Sequence, residues 1–194
     1  QACLDWRLDG AKALLRICPE DPGSLRTLEA CTAAARELSD LGLPYFLEPL
    51  PVRRTGDGFA LVREADALTR VVGVSTALGN SSGGLWLKLP WCADFHRVAG
   101  STTLPILLLG GPVADGLAGF LRELRDGLDA GDNVRGTLLG RNLLYPGEAD
   151  PLALARAVSG MVHRGWSVAE AEEQLGRTGP DLEVGQGPTM EVTS

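Results

Sequence analysis

Leu85-Trp86-Leu87-Lys88-Leu89-Pro90 is an apolar run interrupted by one lysine. Helical periodicity flanks it on both sides, over Ala65 to Leu78 and over Asp94 to Ala99. Residues Leu85 to Leu89 therefore read as a buried strand in an alternating βα series. The lysine stands out because the chain uses arginine almost everywhere else: of 18 basic residues, only Lys12 and Lys88 are lysine. A guanidinium cannot form an imine, whereas a desolvated amine can attack a carbonyl. The plain alternative is a lysine that snorkels from a strand end into water.

Outward from this strand the same alternation repeats. Ala11 to Ile17 reads as a first strand. The turn Pro19-Glu20-Asp21-Pro22-Gly23-Ser24 then opens a helix with apolar positions from Leu25 through Leu38. Tyr45-Phe46-Leu47-Glu48-Pro49-Leu50 is a second strand, followed by a loop containing Arg53, Arg54 and Gly56. Beyond Leu89, Pro105 to Leu109 is a fourth strand, Gly116 to Leu128 a helix, Gly136 to Leu139 a fifth strand, and Pro151 to His163 a helix. Short strands alternating with longer helices build a parallel sheet, so the fold class is α/β. Five βα units are visible, against the eight of a (β/α)₈ TIM barrel. The expectation is the C-terminal five or so units of such a barrel, with about three units absent from the N-terminus. Residues 1–165 form the partial barrel domain. Residues 166–194 form a C-terminal extension, with a short helix over Val168 to Leu175 and a disordered tail beyond about Gly176.

The bulk numbers narrow the function classes. A chain of 194 residues with 44% hydrophobic and 22% charged residues has the make-up of a globular domain with a core of its own. A net charge of -7 argues against nucleic acid and anionic membrane as partners, since both attract clustered Lys and Arg. No apolar run approaches the roughly 20 residues of a membrane span, and Pro105 to Leu109 is short and ends in Gly110-Gly111. Four cysteines without CxxC spacing and two histidines are poor material for zinc, so no metal and no cofactor is expected. Unpaired thiols and the lack of a basic-then-apolar leader fit a cytoplasmic protein.

In a parallel barrel, side chains at the C-terminal strand ends converge on one mouth, where the βα loops build the active site. The polar residues at those ends are Arg16, Glu48, Lys88, the pair Gly110-Gly111, and Gly140-Arg141. Singly, each has a bland reading: Arg16 as a rim cation, Glu48 as its ion-pair partner, the glycines as turn residues. Together they are more specific. Glycines after the last two strands let backbone N–H groups approach a phosphate, and Arg141 can clamp it. A lysine two strands earlier then faces the carbonyl of a phosphorylated sugar. Glu48, one strand before it, is placed to shuttle protons. Cys92 and His96 lie near the lysine, but Cys92 has no paired base and reads as packing.

Five segments carry a resemblance: Asp9 to Ile17, Glu48-Pro49 with Arg53-Arg54, Trp86 to Pro90, Leu107 to Gly111, and Gly140-Arg141-Asn142-Leu143-Leu144-Tyr145-Pro146. Over about residues 5 to 163 the chain resembles the class I, Schiff-base aldolase superfamily of bacterial and archaeal fructose-bisphosphate and deoxyribose-phosphate type. It looks most like a bacterial aldolase-like group associated with inositol catabolism. The resemblance implies an aldehyde-lyase that acts on a phosphorylated sugar or sugar acid, with Lys88 forming the Schiff base and Gly110, Gly111, Gly140 and Arg141 binding phosphate. It also implies a homo-oligomer. The chain departs from the fructose-bisphosphate members at the end of the fifth barrel strand, where they carry an acid/base tyrosine and this chain has Glu48-Pro49-Leu50-Pro51. Two other readings stand beside the enzyme: a non-catalytic sugar-phosphate-binding relative, and a truncated barrel fragment that needs a partner chain.

Overall fold

The computed structural model describes residues 1–111 and 116–176. After the short α1 (Ala2–Asp5) the chain alternates as expected, through β1 (Ala11–Ile17), α2 (Gly23–Asp40), β2 (Tyr45–Thr55), β3 (Gly58–Leu61) and α3 (Ala65–Thr76). It continues through β4 (Leu85–Pro90), α4 (Phe95–Ala99), β5 (Ile106–Leu109), α5 (Gly116–Leu128), β6 (Val134–Leu138) and α6 (Arg141–Leu144), and ends in α7 (Pro151–Arg164) and α8 (Val168–Gly176). Five strands pair in parallel in the order β1-β2-β4-β5-β6. The sheet is open: the two outer strands, β1 and β6, do not meet.

The leucine-rich strands segregate their side chains by parity. Leu15, Leu47, Leu87, Leu89, Ile106 and Leu108 are almost fully buried and pack with Leu68 and Val72 of α3, Leu121 of α5 and Leu154 of α7 in one core. Each such side chain contributes about 1.5–3 kcal/mol when fully buried. The alternate positions belong to the opposite face, which the helices do not cover. There Lys12, Leu14 and Arg16 are exposed, while Phe46, Glu48, Trp86 and Lys88 are partly buried. The Phe46 and Trp86 rings lie 5.7 Å apart, centroid to centroid, across β2 and β4.

Local chemistry sets the element ends. Asp150 caps α7, its carboxylate accepting from the N–H groups of Leu152 and Ala153. Pro151 occupies the first turn, where no intrahelical donor is lost, and Gly165 closes the helix at φ 69°. The amide of Asn133 donates to the carbonyls of Ala99, Thr102 and Leu104 at 3.1, 2.9 and 3.2 Å, tying the entry to β6 onto the loop that precedes β5.

Two details differ from the sequence expectation. The loop expected at Arg53, Arg54 and Gly56 is instead a hairpin: β2 runs on to Thr55 and turns back antiparallel as β3. Gly56-Asp57 forms the two-residue turn between the paired Thr55 and Gly58, and the Arg54 guanidinium sits 5.4 Å from the Phe59 ring centroid and 3.1 Å from Asp21. β6 begins at Val134, two residues before the expected Gly136, with a register shift against β5 between Ile106 and Leu107. The helix expected over Val168 to Leu175 is present as α8, where Ala171 and Gln174 are buried. The tail expected to be disordered beyond Gly176 lies outside the described residues. Among the described residues no helix is long and apolar enough to cross a membrane.

Candidate active site

Leu47 pairs with Leu87 in the parallel β2–β4 ladder, so the next residues, Glu48 and Lys88, project side by side from the face that the helices leave open. Lys88 Nζ donates to Glu48 Oε2 at 3.0 Å. Lys12 Nζ, from β1, donates to the same oxygen at 2.7 Å. The two lysines of the chain thus converge on one carboxylate atom. Lys88 and Glu48 are well shielded, with side chains 15% and 12% exposed, while Lys12 is 44% exposed. The sequence reading had offered Arg16 as the ion-pair partner of Glu48. Glu48 is instead held by Lys12 and Lys88, and Arg16 is exposed four residues beyond Lys12 along β1, outside the cavity that Glu48 and Lys88 enter.

Burial pushes the Glu48 carboxyl up, but the hydrogen bonds and charges of Lys12 and Lys88 outweigh it and hold the group below the usual carboxylate range. The carboxylate is therefore ionised at neutral pH. A lowered carboxyl pKa also links folding to acidity: the stabilisation is complete above the unfolded value of about 4.3 and is lost as pH falls through the folded one. Thermal melts from pH 7 to pH 3 are expected to show a decline below about pH 4.5 that is smaller in Glu48→Gln. Equal declines in the two proteins would contradict the assignment.

Glu48 and Lys88 form one wall of a cavity of about 620 Å³, open to solvent. Gly110 and Gly111 after β5, and Gly140, Arg141 and Asn142 after β6, form another wall. Leu117 and Phe120 of α5, Leu138, Tyr145 and Pro146 complete it. The structure thus brings together six of the seven residues singled out in the sequence, Glu48, Lys88, Gly110, Gly111, Gly140 and Arg141, and leaves Arg16 aside. A Cβ on Gly110 would lie 3.3 Å from the Asn142 amide, and one on Gly111 would collide with the guanidinium of Arg63. Asn142 donates to the Gly111 carbonyl at 2.7 Å, binding the two strand ends to each other. By contrast, nothing stands within 4 Å of a Cβ placed on Gly140, which faces open space.

Sequence reasoning passed over Lys12 as a site residue. The available signal was its being the only other lysine, on the strand next to Glu48. Cys92, weighed as a thiol, is buried, and burial with the nearby Asp94 charge pushes it up to about 11, so it stays protonated at neutral pH. Among the described residues no three His, Cys, Asp or Glu side chains cluster to hold a metal ion, and all four cysteines are free.

A shielded lysine and glutamate thus stand at the strand ends of a parallel α/β sheet, with a glycine-lined cavity beside them. The chain belongs to the Cgl0159-like family, whose profile matches residues 1–160. It is 35% identical over 147 residues to an uncharacterized aldolase of Saccharolobus solfataricus, a match covering 74% of this chain and 50% of that protein. The crystal structure of Cgl0159 from Corynebacterium glutamicum superposes with a TM-score of 0.80 at 34% identity, over 85% of this chain and 55% of that one. A Schiff-base-forming fructose-1,6-bisphosphate aldolase superposes with a TM-score of 0.67, over 84% of this chain and 61% of that one; at 21% identity the likeness is one of fold. The chain spans about half the length of the curated relative it matches.

Proposed function

We propose that the polypeptide is a class I aldolase, an aldehyde-lyase that cleaves or forms a C–C bond in a phosphorylated sugar or sugar acid through a Schiff base on Lys88. The observation that carries this reading is the contact between Lys88 Nζ and the Glu48 carboxylate at the wall of the glycine-lined cavity. In the cleavage direction Lys88 gives its ammonium proton to solvent and adds as the amine to the substrate carbonyl carbon; a proton taken back by the carbinolamine hydroxyl lets water leave, and an iminium remains. Glu48 then takes the proton of the β-hydroxyl, and the bond between the α- and β-carbons breaks. Its electron pair flows into the iminium to give an enamine, and an aldehyde departs. Lys12 remains as counter-charge to Glu48 once Lys88 is engaged in the imine. Gly110, Gly111, Gly140 and Arg141 hold the phosphate, which positions the carbonyl over Lys88. Arg16, exposed at the end of β1, acts at the rim of the mouth.

The incompletely covered sheet face supports a second element of the proposal. Parallel sheets are stable when both faces are covered, and here one side carries Phe46, Trp86 and the charged groups at intermediate or full exposure. We propose that in the whole polypeptide further βα units close this sheet into an eight-stranded barrel, so that the uncovered face becomes its interior. Borohydride reduction in the presence of candidate phosphorylated sugars, followed by peptide mass spectrometry, tests the reading. The expected result is a stable adduct on the peptide containing Lys88, and its absence with every aldose and ketose phosphate tried would sink the aldolase assignment.

A further inference from the structure

We propose that Tyr145 is the proton donor that completes turnover, its phenol delivering a proton to the α-carbon of the enamine left on Lys88. The inference rests on the Schiff-base reading above and fills a step which that reading leaves open, since the enamine must be protonated before the product can leave. Tyr145 follows Gly140, Arg141 and Asn142 on the segment after β6, and it lines the same cavity as Lys88 and Glu48. The chain has two tyrosines. Tyr45 is buried at the start of β2, whereas Tyr145 is 79% exposed. A large aromatic left open to solvent, on the loop after the last strand, stands where parallel barrels carry their reactive groups.

The backbone that carries this side chain is held. The N–H of Tyr145 donates to the Arg141 carbonyl at 2.8 Å, and Pro146 behind it restricts the residue, which stands at φ -134° and ψ 66°. A cavity of about 620 Å³ is the size of a small-ligand site, so one substrate can reach from Lys88 to the loop that carries Tyr145. A proton inventory of the lining singles the phenol out. Among the described lining residues the titratable groups are Glu48, Lys88, Arg141 and Tyr145. Lys88 is consumed in the enamine, and a guanidinium does not give up its proton. Glu48 is held ionised by its two lysine neighbours, so it serves as base at the β-hydroxyl and passes that proton on to solvent. A phenol carries its proton at neutral pH and can part with it. In the step, the phenolic O–H bond breaks and the new C–H bond forms from the enamine π pair, while the nitrogen lone pair restores the iminium. The phenolate regains a proton from solvent, to which Tyr145 is open. Water then adds to the iminium carbon and releases the carbonyl product, with Lys88 leaving as its ammonium.

Hydrogen exchange on dihydroxyacetone phosphate in deuterium oxide, followed by NMR with the complete polypeptide, is the test. The α-hydrogen of the bound probe exchanges through the enamine. Tyr145→Phe is expected to slow that exchange about 10²- to 10⁴-fold, the scale of a lost acid/base group, while borohydride trapping of the probe on Lys88 and the thermal melt stay as in the parent. A fluorinated, more acidic tyrosine at position 145 is expected to move the alkaline limb of the exchange rate to lower pH, a change that a packing role would not produce. Exchange in Tyr145→Phe within threefold of the parent would overturn the role, as would an adduct in the parent with no exchange at all. No adduct on Lys88 in the parent would strike the Schiff-base reading and this role with it, whereas an adduct with unslowed exchange in Tyr145→Phe strikes the role alone.

Discussion

Lys88→Arg is expected to abolish turnover, by about 10⁶-fold in kcat, the scale on which removal of a covalent nucleophile is felt, while leaving the fold intact. The replacement keeps a positive charge opposite Glu48, so the carboxylate keeps a cationic neighbour at a site where its own side chain is 12% exposed. The imine-forming amine is what disappears, since a guanidinium stays protonated at every accessible pH and cannot add to a carbonyl. Lys88→Ala is the less clean variant, because it also strips one of the two hydrogen bonds from Glu48 Oε2. Steady-state kinetics and a thermal melt separate the cases. A Lys88→Arg protein within tenfold of the parent rate would remove the Schiff base from the mechanism.

Glu48→Gln is expected to lower kcat by about 10²- to 10⁴-fold, the usual contribution of a positioned acid/base group, with KM changed far less. The amide is nearly isosteric with the carboxylate but cannot accept the proton of the β-hydroxyl. Lys12 and Lys88 are then left facing each other across a neutral group, where the parent has a carboxylate held ionised by both. The acidic limb of the kcat/KM profile is expected below the ordinary carboxylate range in the parent and to vanish in the variant. Borohydride trapping on Lys88 distinguishes the step: slowed C–C cleavage with retained adduct formation places Glu48 after the imine. Unaltered kcat in Glu48→Gln would leave the carboxylate a structural ion-pair partner only.

The strands were legible because each is a short apolar run, and the helices because apolar residues recur at helical spacing with Pro and Gly at their ends, as in α7 between Pro151 and Gly165. The hairpin was not: Arg53-Arg54 looked like a charged loop, and only pairing with β3 gives their backbone its partners. In the candidate site, strand ends were the right place to look for Glu48, Lys88 and the glycines. Lys12 escaped because it starts two positions short of Leu14, the residue in register with Glu48, and bridges that offset with its long flexible side chain. Arg16 stays outside the cavity lining, since a position at a strand end does not ensure entry into the cavity.

The register shift between β5 and β6 acts as a phase setter for the last strand. Ile106 pairs with Val134, yet Leu107 pairs with Gly136, so one residue of β6, Arg135, is slipped out of step. From that point the odd and even positions of β6 exchange sides, which sends Leu138 into the cavity shared with Lys88. Without the slip, that side chain would project among the helices, and the chain would enter the segment from Gly140 to Asn142 half a pleat out of phase. Gain or loss of a single residue near Arg135 would therefore reverse the inside and outside of the cradle while leaving every one of its residues in the sequence.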